Sequence, residues 1–242
     1  MTKKKEKNQS TGDDIIAKSA SWTFGEGTAK KFTSHVSKSV PFYEVGQELI
    51  LEYSEFFVSP KDLIYDVGSS TGVLTAKLAD KYIDKSVSVI GLDIEQQMIA
   101  QANKENRRKN INYVKSDLLN YKYKKTNLIV SYYTLQFTHP KVRQEILDKF
   151  YDSLNWGGAL IVFEKVRAPD ARFQDYSTQI YNEYKLKSGY NESNIINKQR
   201  SLKRVLEPFS TKANYDLMKR AGFKDIMTIQ KYVCFEGFLA IK

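Results

Sequence analysis

From residue 62 to residue 165, short apolar runs alternate with stretches in which apolar residues recur every three to four positions. The runs near 62–68, 87–93, 111–116, 127–133 and 159–165 are rich in Val, Ile and Leu, most without polar alternation, which is the pattern of strands buried on both faces. Periodic stretches near 71–83, 95–108 and 140–153 predict helices between them. Strand and helix in this order make βαβ units, so the class is α/β with a parallel sheet covered on both faces. A helical pattern over about 44–58 leads through Ser59-Pro60-Lys61 into the first strand, and Asn155-Trp156-Gly157-Gly158 reads as the turn before the fifth.

After Arg167, about fifty polar, tyrosine-rich residues predict helices near 171–187, 192–206 and 211–221, broken at Gly189-Tyr190. They read as a helical lid inserted at about 170–222. The runs 225–231 and 233–241 close the chain as an antiparallel hairpin at the sheet edge, making seven strands, mostly parallel. Residues 1 to about 14 are lysine-rich and aperiodic, a disordered tail that leaves 15–242 as one domain. Between them and the first strand, Ser21-Trp22-Thr23-Phe24 and Ser39-Val40-Pro41-Phe42-Tyr43 are too aromatic for a linker. This segment is expected to fold over the core, with Trp22 and Phe24 filling an apolar seam.

The 242 residues carry a formal charge of +10. Four lysines against Glu6 in the first seven residues supply +3 of it and leave +7 spread over the rest. A diffuse positive field attracts small anions and nucleic acids alike; it reads first as a solvated surface, second as an RNA or DNA surface. The single Cys234 excludes an intrachain disulfide and a cysteine metal cluster, fits a reducing, cytoplasmic setting, and is expected to pack in the core. No apolar run approaches the roughly twenty residues of a membrane span, and the start lacks the apolar core of a signal peptide. A soluble protein with no membrane partner is the expectation. His35 and His139 are far apart, and the scattered carboxylates show no metal-ligand spacing. His139, before Pro140, reads as a helix cap.

The stretch Leu63-Ile64-Tyr65-Asp66-Val67-Gly68-Ser69-Ser70-Thr71-Gly72 runs a buried strand into a glycine-punctuated turn and a helix, a nucleotide-binding device. Gly68 permits the bend, Gly72 allows close helix packing, and amides at the helix start can face a polar ligand. Asp93 ends the next apolar run, about twenty residues on, where a carboxylate meets ribose hydroxyls. Without a histidine placed to activate them, Ser69 and Ser70 read as ligand-contacting hydroxyls rather than nucleophiles.

With Asp93 after the second strand, Ser116-Asp117-Leu118 after the third and the closing hairpin, the order resembles the Rossmann-like class I S-adenosylmethionine-dependent methyltransferases. That resemblance implies S-adenosyl-L-methionine as ligand, its methionine part passing Gly68, Ser69 and Ser70, its ribose on Asp93 with Ile94, and its adenine against Asp117 and Leu118. The common turn of that class is Gly-x-Gly-x-Gly, whereas here Ser70 holds the middle position. A narrower group shares the serine. From Trp22 to the C-terminus the chain resembles the bacterial carboxy-S-adenosylmethionine synthases, through Trp22-Thr23-Phe24 with Glu26, Ser39-Val40-Pro41 with Tyr43, Thr134-Leu135-Gln136-Phe137, Gly157-Gly158-Ala159-Leu160, Glu164-Lys165, Gly189-Tyr190 and Gln199-Arg200-Ser201.

This second resemblance implies that the ligand's methyl is carboxylated rather than transferred, with prephenate supplying the carboxyl and leaving as phenylpyruvate, for later modification of a tRNA wobble uridine. A carbanion capturing carbon dioxide needs water excluded, which gives flap and lid a purpose. Arg200 and Tyr43 are the implied catalytic pair: a guanidinium fork for a carboxylate of product or prephenate, and a hydroxyl beside it. On charge alone, Arg200 is a surface arginine in the run Lys198, Arg200, Lys203, Arg204. A homodimer is also implied, with Tyr176, Tyr181 and Tyr184 as interface aromatics. Two departures stand out. Tyr132 occupies a cofactor-side position where the family carries asparagine, and the lid lacks histidines around Tyr181-Asn182-Glu183. They keep two other readings open: a methyltransferase acting on a nucleic acid or small anionic acceptor, and a cofactor-binding protein without turnover.

Overall fold

Every apolar run expected as a strand forms one in the computed structural model, which describes residues 9–13, 15–24 and 28–242. In chain order the elements are β1 (Gln9–Ser10), β2 (Ile16–Ala17), α1 (Phe32–Ser39), α2 (Tyr43–Ser54), β3 (Leu63–Val67), α3 (Val73–Lys81), β4 (Ser88–Asp93), α4 (Gln96–Glu105) and β5 (Ile111–Lys115). They continue with β6 (Thr126–Tyr132), α5 (Arg143–Ser153), β7 (Leu154–Lys165), α6 (Ala171–Lys187), α7 (Glu192–Ser201), α8 (Thr211–Ala221), β8 (Asp225–Tyr232) and β9 (Phe235–Ile241). Seven strands form one sheet in the order β5-β4-β3-β6-β7-β9-β8. The first five are parallel to their neighbours; β9 runs antiparallel to both β7 and β8, so β8 is the edge.

Alternation along each strand builds the two faces. Ile64, Val89, Leu128, Val130 and Ile161 pack with Ile50 of α2 and Leu74 and Leu78 of α3. Tyr65, Val67, Ile129, Leu160 and Val162 pack on the other side with Ile146, Leu147 and Phe150 of α5 and Leu217 and Met218 of α8. The third helix expected in the lid therefore belongs to the sheet layer: Gln144 Nε2 donates to the Leu217 carbonyl at 3.2 Å, and Arg220 Nε to Gln144 Oε1 at 2.8 Å. Only α6 and α7 form the lid.

Three further expectations change. The tail does not reach residue 14, because Gln9 pairs with Ala17, Thr11 is buried, and Asn197 of α7 donates to the Ser10 carbonyl at 3.0 Å; residues 1–8, Asp14 and Glu26 lie outside the described residues. The second lid helix stops at Ser201 rather than 206. There the N-terminal segment takes over the helix-end carbonyls, Ala20 N donating to Arg200 O at 2.9 Å and Trp22 N to Ser201 O at 3.1 Å. Finally, β7 begins at Leu154, with Gly157 at φ 78° absorbing a register shift against β6 instead of forming a turn before the strand. Among the described residues no helix is long and apolar enough to cross a membrane.

Candidate active site

At the C-terminal end of β3 the chain turns through three positive-φ residues, Gly68 (74°), Ser70 (51°) and Gly72 (80°). A side chain at Gly68 would stand 2.1 Å from Thr134 Oγ1, so only glycine lets the loop after β6 approach. Ser70 adopts the left-handed conformation that a glycine would take at the same point, so its presence leaves the turn's path intact. Four of the five turn amides are used inside the protein: Gly68 N and Ser69 N donate to Leu92 O at 2.7 and 2.8 Å, Ser70 N to Asp93 Oδ2 at 2.8 Å, and Gly72 N to Ser69 O at 2.9 Å. These four amides hold the turn itself; the amides expected to face a ligand are those of the helix start, which begins at Val73. Ser69 lines the cavity, and its buried hydroxyl has no partner among the described residues.

Asp93 accepts a second main-chain bond, from Glu95 N to Oδ1 at 2.8 Å. Burial pushes its carboxyl up, against these hydrogen bonds. Asp117 Oδ1 accepts from Leu119 N at 2.8 Å, which shapes the loop after β5 and sets Leu118 into the same wall. Asp66, one charge in an apolar strand, lies beneath the turn; Thr75 donates to its Oδ2 at 2.6 Å, and burial pushes it up to about 7. From the sequence it is read only as part of the strand end, with no place in the site, although an acid inside such a strand is a usable signal.

These groups form one end of a cavity of about 600 Å³. Its middle is aromatic: Tyr132 and Tyr133 lie 4.9 and 6.1 Å from the Tyr43 ring, Phe235 lies 6.0 Å from Tyr133, and Tyr181 lies 5.1 Å from Phe235. The Tyr132 hydroxyl donates to the Tyr43 carbonyl, tying α2 to the end of β6. Burial drives the hydroxyls of Tyr43, Tyr132 and Tyr133 well above their ordinary value, so all three stay protonated donors.

The far end is cationic. Lys165 Nζ and Lys185 Nζ sit 4.3 and 4.4 Å from the Tyr181 ring centroid, and no ion pair of either is found among the described residues. Burial lowers both, Lys185 to about 8, with Lys165 adding repulsion. Lys198 donates to Ser39 Oγ at 2.9 Å and to His35 Nε2, while His35 Nδ1 donates to Asp13 Oδ2 at 2.7 Å. Burial and the Lys198 charge hold His35 down at about 4, so it is neutral at pH 7 and can accept from the lysine. Asp13, for which burial works the other way, is held at about 2 by hydrogen bonds from Lys38, His35 and Tyr190.

Trp22 stacks on His35 at 5.6 Å and Phe24 meets Phe137 edge-on at 4.8 Å, so the N-terminal aromatics close the roof of the cavity. Of the residues singled out from sequence, Tyr43, Gly68, Ser69, Ser70, Asp93, Ile94, Asp117, Leu118 and Tyr132 all line it. Arg200 does not: its side chain is exposed, and the bonds found for it among the described residues are main-chain ones. The cavity receives Lys198, two residues earlier on α7, instead. None of the three lysines is given a role from the sequence: Lys185 and Lys198 lie in polar helices, where a lysine looks solvated, and Lys165 ends β7. Tyr181 and Lys185, four apart on α6, share a face, and that it is the inward one follows only from the fold. Tyr181 is likewise not an interface residue, since its hydroxyl donates to Ser39 O at 2.8 Å. His139 caps the turn after β6, accepting from Lys141 N at 3.1 Å. No group of three or more His, Cys, Asp or Glu placed to hold a metal occurs among the described residues.

A family described as a methyltransferase domain matches residues 64–158. The carboxy-S-adenosyl-L-methionine synthase of Staphylococcus epidermidis is 35% identical over 222 residues, 91% of this chain and 97% of that protein. The enzyme of the same name from Nautilia profundicola is 34% identical over 221 residues, 90% of this chain and 94% of its own. Human N-acetylserotonin methyltransferase, solved with S-adenosylmethionine, shares the fold at a TM-score of 0.60 and 17% identity, over 90% of this chain and 56% of that longer one.

Proposed function

Since the chain belongs to the carboxy-S-adenosyl-L-methionine synthase family, we propose that it converts S-adenosylmethionine and prephenate to carboxy-S-adenosylmethionine and phenylpyruvate, in the cytoplasm, for modification of a tRNA wobble uridine. One observation carries the reading: a single cavity joins an adenosyl-type turn, with acids at Asp93 and Asp117, to a cationic end suited to a carboxylate co-substrate. The first end fits S-adenosylmethionine. Ser69 keeps a buried unpartnered hydroxyl, Asp93 has lone pairs left for ribose hydroxyls, and Leu118 offers an apolar face to a purine.

S-adenosylmethionine supplies a sulfonium that makes its methyl protons acidic. In prephenate, loss of the ring carboxyl as carbon dioxide and of the ring hydroxyl as hydroxide yields aromatic phenylpyruvate. Hydroxide takes one methyl proton, the freed electron pair bonds to carbon dioxide, and water leaves, so atoms and charge balance. The protein's part is to hold both molecules together and keep water out. Trp22, Phe24 and Phe137 close the roof, while Tyr43 and Tyr133 offer flat faces to the ring that becomes aromatic.

We place Arg200 at a subunit boundary. It is exposed on α7, and the outer face of α6 carries Phe173, Tyr176 and Ile180 at 45%, 55% and 51% exposure, an apolar surface suited to a second copy. In such a homodimer the fork of one chain is offered to the other's carboxylated product. The reading is tested by following prephenate in the presence of enzyme: phenylpyruvate released only when S-adenosylmethionine is added supports it, and release at the spontaneous rate contradicts it.

A further inference from the structure

The proposed co-substrate carries two carboxylates with opposite fates, one leaving as carbon dioxide and one staying on phenylpyruvate. We propose that Lys165 and Lys185 are specificity-determining residues that hold the carboxylate that stays, leaving the departing one in the aromatic middle of the cavity. This rests on the reading above and adds the orientation of the co-substrate within it.

The argument is electrostatic. A cation bonded to the departing carboxylate stabilises charge that vanishes on going to carbon dioxide, so it binds the ground state better than the transition state and slows the reaction. An apolar wall does the reverse, since a desolvated carboxylate is destabilised relative to neutral carbon dioxide. The cavity separates these two environments. Lys165, at the end of β7, and Lys185, on α6, bring their ammonium groups to the Tyr181 ring at 4.3 and 4.4 Å. Lys185 is 5% exposed, and neither amine has a hydrogen-bonding carboxylate among the described residues. From there Tyr181, Phe235, Tyr133 and Tyr43 lead in contact toward the turn at Gly68. Lys198 is not counted with the pair, because two of its three N–H donors are engaged by Ser39 and His35. Two buried ammonium groups repel each other, and an anion beside them relieves that repulsion; the value of Lys185 is lowered first by burial and then by the Lys165 charge, against Cys234.

Phenylpyruvate is the discriminating probe, because it retains only the carboxylate that stays. Calorimetric titration of wild type, Lys165→Met and Lys185→Met with phenylpyruvate, prephenate and S-adenosylmethionine separates the cases. The proposal expects each variant to bind phenylpyruvate and prephenate about 10- to 100-fold more weakly, the loss of one charge-assisted hydrogen bond, with S-adenosylmethionine affinity unchanged. Weaker prephenate with unchanged phenylpyruvate overturns it and leaves the proposed reaction standing. Wild-type protein that binds S-adenosylmethionine but neither acid removes both. Should a variant lose S-adenosylmethionine as well, wild type decides alone: phenylpyruvate affinity falls as pH rises beyond about 8, where Lys185 loses its proton, and a flat profile from about pH 7 to 10 overturns the proposal. Lys165, Lys198, Arg167 and Cys234 also act there, together with the Tyr181 hydroxyl held high by burial.

Discussion

The main-chain amide of Ser70 donates to Oδ2 of Asp93 at 2.8 Å, so the residue that holds the turn's conformation is the same one expected to meet the ligand's ribose. With Oδ1 on Glu95 N at 2.8 Å, both carboxylate oxygens are committed to main-chain donors. Asp93→Asn offers one acceptor where two are needed and sets its NH₂ against an amide. It should cost about 1.5–3 kcal/mol of stability in urea unfolding and weaken S-adenosylmethionine binding at least about tenfold by calorimetry. An unchanged unfolding midpoint would mean that the turn is held by Leu92 O and Ser69 O without Asp93.

Gly46 and Tyr132 form a steric pair. A Cβ at Gly46 would stand 2.5 Å from the Tyr132 hydroxyl, which bonds the Tyr43 carbonyl. Gly46→Ala should destabilise the protein by about 1–3 kcal/mol despite its better helix propensity, and in a Tyr132→Phe background the same change should cost clearly less, the closest remaining contact being Phe163 Cε1 at 3.1 Å. A double-mutant cycle measures this; a coupling below about 0.5 kcal/mol contradicts it.

His35 is buried in its neutral form between Asp13 and Lys198. Its folded value of about 4 lies below its ordinary 6.5, so the unfolded chain binds the extra proton first, and stability falls as pH drops from 6.5 through 4. The loss approaches about 3 kcal/mol for this group. Asp66 and Glu164, raised to about 7 and 8, act in the opposite sense. The test is therefore the difference in melting temperature between wild type and His35→Gln, which should move against wild type across that window. A constant difference contradicts it.

Arg200→Ala should leave S-adenosylmethionine binding within about threefold, because the side chain lies outside its own chain's cavity, and should abolish retention of the carboxylated product. Mass spectrometry of ligand carried through purification reads this directly. Equal loss of both ligands would assign Arg200 to the fold, through the lid end that binds Ala20 N.

The sheet was legible because burial on both faces leaves continuous apolar runs such as 159–163, and the turn because Gly68 and Gly72 meet steric demands that other residues cannot. The cationic end was not. Whether Lys185 or Arg200 enters the cavity depends on the rotation of α6 and α7 about their axes; α6 carries Phe173, Tyr176 and Ile180 on its exposed face and α7 is mostly polar, so no apolar stripe marks the inward face. The order of residues 9–13 was hidden for the same kind of reason: Thr11 and Asp13 are held by contacts to Ile15, His35 and Tyr190 rather than by a local pattern.

The central claim is that the methyl group is carboxylated, not given away. Enzyme incubated with S-adenosylmethionine and prephenate, then analysed by mass spectrometry of the small-molecule fraction, should yield an adenosyl sulfonium heavier by one carbon dioxide together with phenylpyruvate in equal amount. S-adenosylhomocysteine with a methylated acceptor, or S-adenosylmethionine recovered unchanged, would contradict the account.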